Sequence, residues 1–306
     1  MRDNFLKSLT KLAESDKEIV LLTGDLGFGV FEKFEKNFSG QFFNVGVAEQ
    51  NMIGLATGLA LEGKKVVTYS IGNFGTLRCL EQIRNDACYH DLNITIVANG
   101  GGFSYGSLGM SHHTTEDLSI MRALPNISVV APCTEHEASE ATTAIITKRG
   151  VGYLRLDKDS AKDCFSNDPF VIGKSRRYKE GQDLTLIATG GILNEASVAS
   201  EELKKLGIEV RLVGMHSIKP IDLDEIKDSV QNTGGIVTIE EHNKDGGLGS
   251  AISEVCMDLK MIPKKFLRIG LDNKFSSIVG SQQYLRSRYE IDNKAIVKKV
   301  LDLISN

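Results

Sequence analysis

The sequence of 306 residues has no tryptophan, only five prolines and five cysteines, and the cysteines form no recognisable set. They stand at 79, 88, 133, 164 and 256, an odd, scattered group without a CxxC pair. That spacing excludes a disulfide framework and a thiolate zinc site, and fits buried thiols in a reducing compartment. Apolar runs fall far short of the roughly 20 residues that cross a bilayer, so no membrane partner is expected. The opening Met1-Arg-Asp-Asn-Phe-Leu6 lacks the apolar core of a signal peptide, and a cytoplasmic location is expected. Positive charge is not in excess either. A net charge of −4 with no basic stripe excludes a general nucleic-acid surface.

What is present is ordinary for a globular protein, with 25% charged and 41% hydrophobic residues. Short β-rich apolar runs alternate with amphipathic helical stretches, the pattern of parallel α/β sheets. The spacing predicts strands over 19–22, 65–69, 94–98, 128–131 and 153–156, then over 184–188, 210–213, 235–239 and 266–269. Helices are expected over 3–14, 49–61, 76–88, 115–123 and 135–147 in the first half. In the second they are expected over 196–206, 223–230, 248–259, 284–290 and 293–304. Between the halves, 158–182 is polar, mixed in charge and broken by Pro169 and glycines, with room for one short strand. The fold class is therefore α/β, with two domains, each a mainly parallel sheet flanked by helices. The expected division is 1–160, a linker over 161–182, and 183–306.

Three glycine-rich turns follow predicted strands: Asn99-Gly-Gly-Gly102, Thr189-Gly-Gly191 and Gly246-Gly-Leu-Gly249. None spells G-x-G-x-x-G with an acid about 20 residues on, and tight strand-to-helix turns need glycine for backbone reasons alone.

One acid stands out by its company. Glu49 lies in Phe43-Asn-Val-Gly-Val-Ala-Glu-Gln-Asn-Met-Ile-Gly-Leu-Ala-Thr-Gly-Leu-Ala60, with no lysine or arginine nearby in sequence. The small and apolar residues at three- and four-residue spacing read as a helix packed on all sides. A carboxylate there is costly unless it is hydrogen-bonded, or protonated because burial has raised its pKa. The other reading is an early-turn acid favoured by the helix dipole, its head in solvent.

The second polar cluster, Gly101-Gly-Phe-Ser-Tyr-Gly-Ser-Leu-Gly-Met-Ser-His-His-Thr-Thr-Glu-Asp-Leu118, follows a strand and precedes a helix. Loops beyond the carboxyl ends of strands are where α/β domains bind ligands. Two adjacent histidines cannot easily point at one metal and no ligand-spaced partners support them, so no metal site is expected on this chain. One histidine capping the next helix and the other exposed is the alternative.

These segments resemble those of a known family. Asn44-Val-Gly-Val-Ala-Glu-Gln-Asn-Met52, followed by Gly58-Leu-Ala60, resembles the acidic-helix motif of thiamine-diphosphate enzymes of the transketolase family. Ser111-His-His-Thr-Thr-Glu-Asp-Leu-Ser-Ile-Met-Arg-Ala-Leu-Pro-Asn126 resembles its histidine loop, and Ser217-Ile-Lys-Pro-Ile-Asp222 and Ile239-Glu-Glu-His242 its C-terminal domain. The resemblance implies a pyrimidine-binding domain followed by that C-terminal domain. The family's diphosphate-binding Gly-Asp-Gly signature is missing, the nearest stretch being Gly24-Asp-Leu26. The chain therefore resembles the C-terminal subunit of a split transketolase. An N-terminal diphosphate-binding subunit is expected as partner, carrying the Mg2+ ligands, in an α2β2 heterotetramer. The C-terminal domain is expected to stabilise that assembly without supplying chemistry.

The resemblance also implies roles. Glu49 would hydrogen-bond N1′ of the aminopyrimidine of thiamine diphosphate and so activate it for ketol transfer from a ketose to an aldose. Phe74 would lie against the same ring, an ordinary core phenylalanine being the alternative. His112 would meet the reacting carbonyl. Asp25 resembles the family acid near the site entrance, and Lys158 stands where relatives use arginine for the substrate phosphate. His113 occupies a position that often carries glutamine, and Arg84 and Arg155 match basic positions loosely. Sugars are the expected substrates. Two departures bear on which: Leu108 replaces an acid that reads a sugar hydroxyl, and Gly100 replaces a histidine near the phosphate. They open a modified, non-phosphorylated or nucleotide-linked sugar, or another ketose. The β-subunit of a 2-oxo acid dehydrogenase and a 1-deoxyxylulose-phosphate synthase-like enzyme are the enzymatic alternatives. A regulatory interaction subunit is the non-enzymatic one.

Overall fold

A computed structural model describes residues 1–162 and 169–305; Cys164 and part of the expected linker lie outside the described residues. Among the described residues twelve strands form two sheets. They are β1 (Ile19–Thr23), β2 (Phe42–Asn44), β3 (Lys65–Ile71), β4 (Ile94–Asn99), β5 (Ile127–Val130), β6 (Val151–Leu156), β7 (Arg176–Lys179), β8 (Leu184–Thr189), β9 (Val210–Gly214), β10 (Ser217–Lys219), β11 (Ile236–Asn243) and β12 (Phe266–Leu271). The first sheet has the order β10-β5-β6-β4-β3-β1-β2, and the second β12-β11-β8-β9-β7. Every pairing is parallel except β10 on β5 and β7 on β9. All residues of β1, β5, β6, β8 and β9 are buried, as strands covered by helices on both faces must be. The chain is thus two α/β layers of mostly parallel sheet flanked by helices.

Differences from the expected elements have local causes. Strand β2 is only three residues long with one of them buried, too short for a periodic signal. Strand β10 leaves the second half of the chain to pair with β5, so Ser217–Lys219 completes the first sheet. The helix expected over 76–88 begins earlier, as Gly72–Thr76, and passes through Leu80–Gln82 into a π-helical turn, Ile83–Cys88. Glycine at 72 permits this start. A Cβ there would stand 2.3 Å from Thr114 Oγ1, so the histidine loop rests directly on the backbone.

The helix Glu49–Leu61 corrects the expectation of packing on all sides. Glu49, Met52, Ile53, Ala56 and Ala60 are buried, while Asn51, Gly54, Leu55, Gly58 and Leu61 face outward. Val47 and Leu61 are 70% and 64% exposed, and Cβ atoms on Gly54 or Gly58 would meet nothing. Within this chain, then, only one face of the helix is covered.

One apolar core runs through both layers, from Val20, Met52 and Ile96 to Val213, Met215, Ile218 and Leu248. The layers are fused through packed side chains as well as through β10. No helix among the described residues is long and apolar enough to cross a membrane.

Candidate active site

Five candidates from the sequence lie beyond the carboxyl ends of strands of the first sheet. Asp25 follows β1, Glu49 follows β2, Phe74 follows β3, His112 follows β4 and Lys158 follows β6. Parallel strands end together, so residues far apart in sequence meet along one rim.

Glu49 opens its helix and is 1% exposed. The cation missing from its sequence neighbourhood comes from elsewhere: Arg78 Nη1 donates to Glu49 Oε2 at 2.7 Å. Of the two readings of the acid, a solvated head is excluded, and burial is compensated by an ion pair. The same guanidinium lies 4.6 Å from the centroid of the Phe74 ring. Phe74 is therefore no core residue; it lines this slot. Next to it, burial and the Glu49 carboxylate push the Cys79 thiol up to about 12, so the sulfur stays protonated. Arg78 was missed by sequence reasoning. It sits in the turn after the helix Gly72–Thr76, four residues beyond Phe74, where no motif marks it.

The row continues across the rim. The rings of Phe74 and His112 meet edge to face at 5.1 Å, His112 and Tyr105 lie 6.5 Å apart, and Lys158 Nζ sits 4.6 Å from the Tyr105 ring. The Ser111 hydroxyl lies 3.0 Å from His112 Nδ1. The Asn73 side chain donates to the carbonyls of Ser111 and His113, tying the histidine loop to the Phe74 segment. Lys158 borders a cavity of about 420 Å³ shared with Arg2, Lys7, Asn99, Tyr105 and Asp157. Arg2 and Lys7 carried no motif and were not foreseen.

Asp25 adopts φ of 57°, the left-handed region, although it is not glycine. Asn44 holds it there: its Oδ1 accepts from the Asp25 and Gly46 N–H groups, and its Nδ2 donates to Asp25 Oδ1, each at 3.0 Å. His113 does not join the group. It is buried, its Nε2 pairs with the Gly106 carbonyl at 3.1 Å, its ring packs on Phe103, and its Nδ1 is buried without a hydrogen-bond partner among the described residues. Arg155 is likewise internal, paired with Asp117 at 3.1 Å and Asp157 at 3.8 Å. Burial acts to lower its pKa, but the two carboxylates outweigh burial and raise it.

The glycine-rich turns are occupied by the chain's own carboxylates. Leu248 and Gly249 N–H donate to Glu240 at 2.7 and 2.9 Å, Gly191 N–H donates to Asp157 at 2.7 Å, and Phe103 N–H donates to Glu241. Backbone donors that would cradle a phosphate are spent internally. Among the described residues no group of three His, Cys, Asp or Glu could hold a metal ion.

Residues 1–162 match the model of the transketolase pyrimidine-binding domain, and 173–296 that of the transketolase C-terminal domain. The chain belongs to the transketolase family. It is 39% identical to a transketolase C-terminal section of Methanocaldococcus jannaschii, covering 99% of this chain and 95% of that one. It is 33% identical to an apulose-4-phosphate transketolase subunit of Phocaeicola vulgatus, over 99% and 97%. A solved split-gene transketolase, described as an inactive beta4 tetramer, superposes with a TM-score of 0.90 at 34% identity, over 99% of this chain and 98% of that one. Relatives of this length are subunits of split transketolases, and the chain is of that type. The 1-deoxy-D-xylulose-5-phosphate synthase of Halothermothrix orenii is also similar, 34% identical over 98% of this chain but only 47% of that protein.

Proposed function

We propose that this chain is the cofactor-activating subunit of a thiamine-diphosphate-dependent transketolase that moves a two-carbon ketol unit from a ketose to an aldose. The observation that carries the reading is the buried Glu49 carboxylate at the head of a slot walled by Phe74. What lies in the slot tests the fit: a flat N–C–N cation bonded to the acid, its central carbon 4.6 Å from the ring centroid. Gly24 keeps the slot open, since a Cβ there would stand 3.3 Å from the Gly46 carbonyl and 3.7 Å from Glu49 Cγ. Glu49 and Phe74 would therefore hold the aminopyrimidine. Bound there, thiamine diphosphate supplies the nucleophile and electron sink for cleaving the bond beside a ketose carbonyl.

Glu49 would exchange a proton with the ring nitrogen, a role suited to a carboxyl group shielded from water. In the tautomer whose Nδ1 accepts from the Ser111 hydroxyl 3.0 Å away, His112 would carry its proton on Nε2 and could donate it to an oxygen that gains charge. Arg2, Lys7 and Lys158 share the cavity at the far end of the row with Asp3, Glu135 and Asp157, and Arg2 pairs with Asp3 at 3.0 Å, so the lining is mixed in charge. The open face of the helix Glu49–Leu61 and the inactivity described for the beta4 relative both support a diphosphate-binding partner, which would bring the Mg2+ ligands.

Co-expression with the diphosphate-binding subunit and a screen of ketose donors tests the reading. Glu49→Gln and Glu49→Ala are expected to abolish ketol transfer while leaving the unfolding midpoint of the complex unchanged. Turnover retained by either variant excludes the assignment. Pyruvate belongs in the same screen: the similarity to 1-deoxy-D-xylulose-5-phosphate synthases favours that donor as the second reading.

A further inference from the structure

Arg78 touches both groups that would receive the aminopyrimidine, and no contact elsewhere among the described residues accounts for its place in the slot. Its Nη1 donates to Glu49, and its guanidinium carbon lies over the Phe74 ring. A guanidinium is a planar N–C–N cation with parallel N–H donors and a face that stacks on aromatics. An aminopyrimidine presents the same outline: a flat face, and ring and amino nitrogens flanking one carbon. The side chain is 45% exposed while its partner is 1% exposed, so the carboxylate is fixed and the arginine is free to leave.

We propose that Arg78 is a built-in placeholder for the cofactor ring: it neutralises Glu49 and covers Phe74 in the unloaded chain, and must swing out to admit the aminopyrimidine. This rests on the assignment of Glu49 and Phe74 as the aminopyrimidine site. The device answers a physical need. A buried carboxylate without a partner is strongly destabilising, and this chain has to persist before it meets the cofactor. The cost appears in affinity, because the incoming ring competes with an existing ion pair and stacking contact. Arg78 thereby sets how tightly the cofactor is held, while touching none of the reacting atoms.

The aminopyrimidine fragment 4-amino-5-hydroxymethyl-2-methylpyrimidine, titrated calorimetrically into the full chain without its partner, tests this directly. Arg78→Met removes the charge and keeps the stem, and is expected to bind the fragment about tenfold more tightly than the wild type, equivalent to about 1.4 kcal/mol. Arg78→Lys keeps a charge for Glu49 but cannot lie flat on Phe74 while bonding it, and should gain about threefold. It carries the test should Arg78→Met fail to fold. Equal or weaker fragment binding in the folded variant, or no binding to either protein, overturns the placeholder. The assembled complex separates the two readings: a wild type that binds thiamine diphosphate but transfers no ketol unit removes the transketolase assignment and leaves the fragment result standing.

Discussion

Glu241→Ala is the substitution through which the second layer's hold on the site can be weighed. The Glu241 side chain is buried and accepts from three groups: the Phe103 N–H, the Gln282 amide at 3.0 Å and the Arg286 Nε at 2.5 Å. Arg286 is 1% exposed and keeps Asp159 and Glu195 as further partners. Removing one member of a buried ion pair costs about 3–5 kcal/mol, and the two remaining carboxylates place this case at the low end. Orphaning the Phe103 N–H adds roughly 1 kcal/mol. A loss of about 4 kcal/mol is expected, with about half of it for Glu241→Gln, whose amide oxygen can still accept from Phe103. Urea unfolding measures the loss as a shift in Cm at constant m. Hydrogen exchange of the amides over 102–114 measures whether the histidine loop loosens with it, because Gly102 sits so close to Glu241 that a Cβ would stand 2.5 Å from Oε1. A Glu241→Ala protein within about 1 kcal/mol of wild type, with unchanged exchange over that loop, would show that the loop supports itself and refute the reasoning.

Stability should depend on pH through two buried groups of opposite sense. Burial, with Arg176 nearby, depresses His216 to about 3, whereas the unfolded side chain titrates near 6.5. The unfolded chain binds the extra proton between those values, so this contribution is complete above pH 6.5 and is lost as pH falls toward 3, by up to about 5 kcal/mol. Burial raises Glu240 to about 7 against the hydrogen bonds from Gly249 and Leu248, so there the folded chain holds the proton and stability falls as pH rises from 4.5 to 7, by up to about 3 kcal/mol. His216→Phe should flatten the acid limb and Glu240→Gln the neutral one in urea titrations across pH 4 to 8; unaltered limbs would contradict the assignment. Gly72→Ala should cost about 1–3 kcal/mol by driving a methyl into Thr114, and should lower ketol transfer in the assembled complex by displacing His112; an unchanged melting temperature would contradict the close approach.

How much was legible in sequence follows the length scale of each signal. Strands buried on both faces leave continuous apolar runs, so β1, β3, β4, β6 and β8 lie where the runs predict them. The two dense motifs around Glu49 and His112 were legible because each is contiguous. Arg78 was not, since its meeting with Glu49 is created by strands β2 and β3 ending at one rim, 29 residues apart in the chain. Arg2 was illegible for the same reason: only the fold brings the start of the first helix beside Asn99, Asp157 and Lys158. The inward turn of His113 was not legible because adjacent residues share a motif without sharing a direction. On that short loop the next side chain turns inward onto Phe103.

The C-terminal layer bears on the site more closely than a passive stabiliser would. Arg155, on β6 of the first layer, donates to the carbonyls of Thr114 and Glu241, bridging the end of the histidine loop to β11 of the second. Gly280 N–H donates to the Gly106 carbonyl, the same oxygen that His113 engages, and Leu285 packs against Gly106. The loop that presents His112 is thus gripped from both sides by groups that are themselves buried and charge-paired. Each of these contacts matters because losing one strands a polar group in low dielectric. The position of His112 relative to Phe74 is therefore set jointly by Asn73 below and by Glu241 and Arg155 behind. A chain truncated after β6 would keep Arg155 but lose Glu241, the carbonyl partner that Arg155 holds there, and β10 at the edge of its own sheet. The rim's geometry therefore depends on the C-terminal layer as well as on the strands that form it.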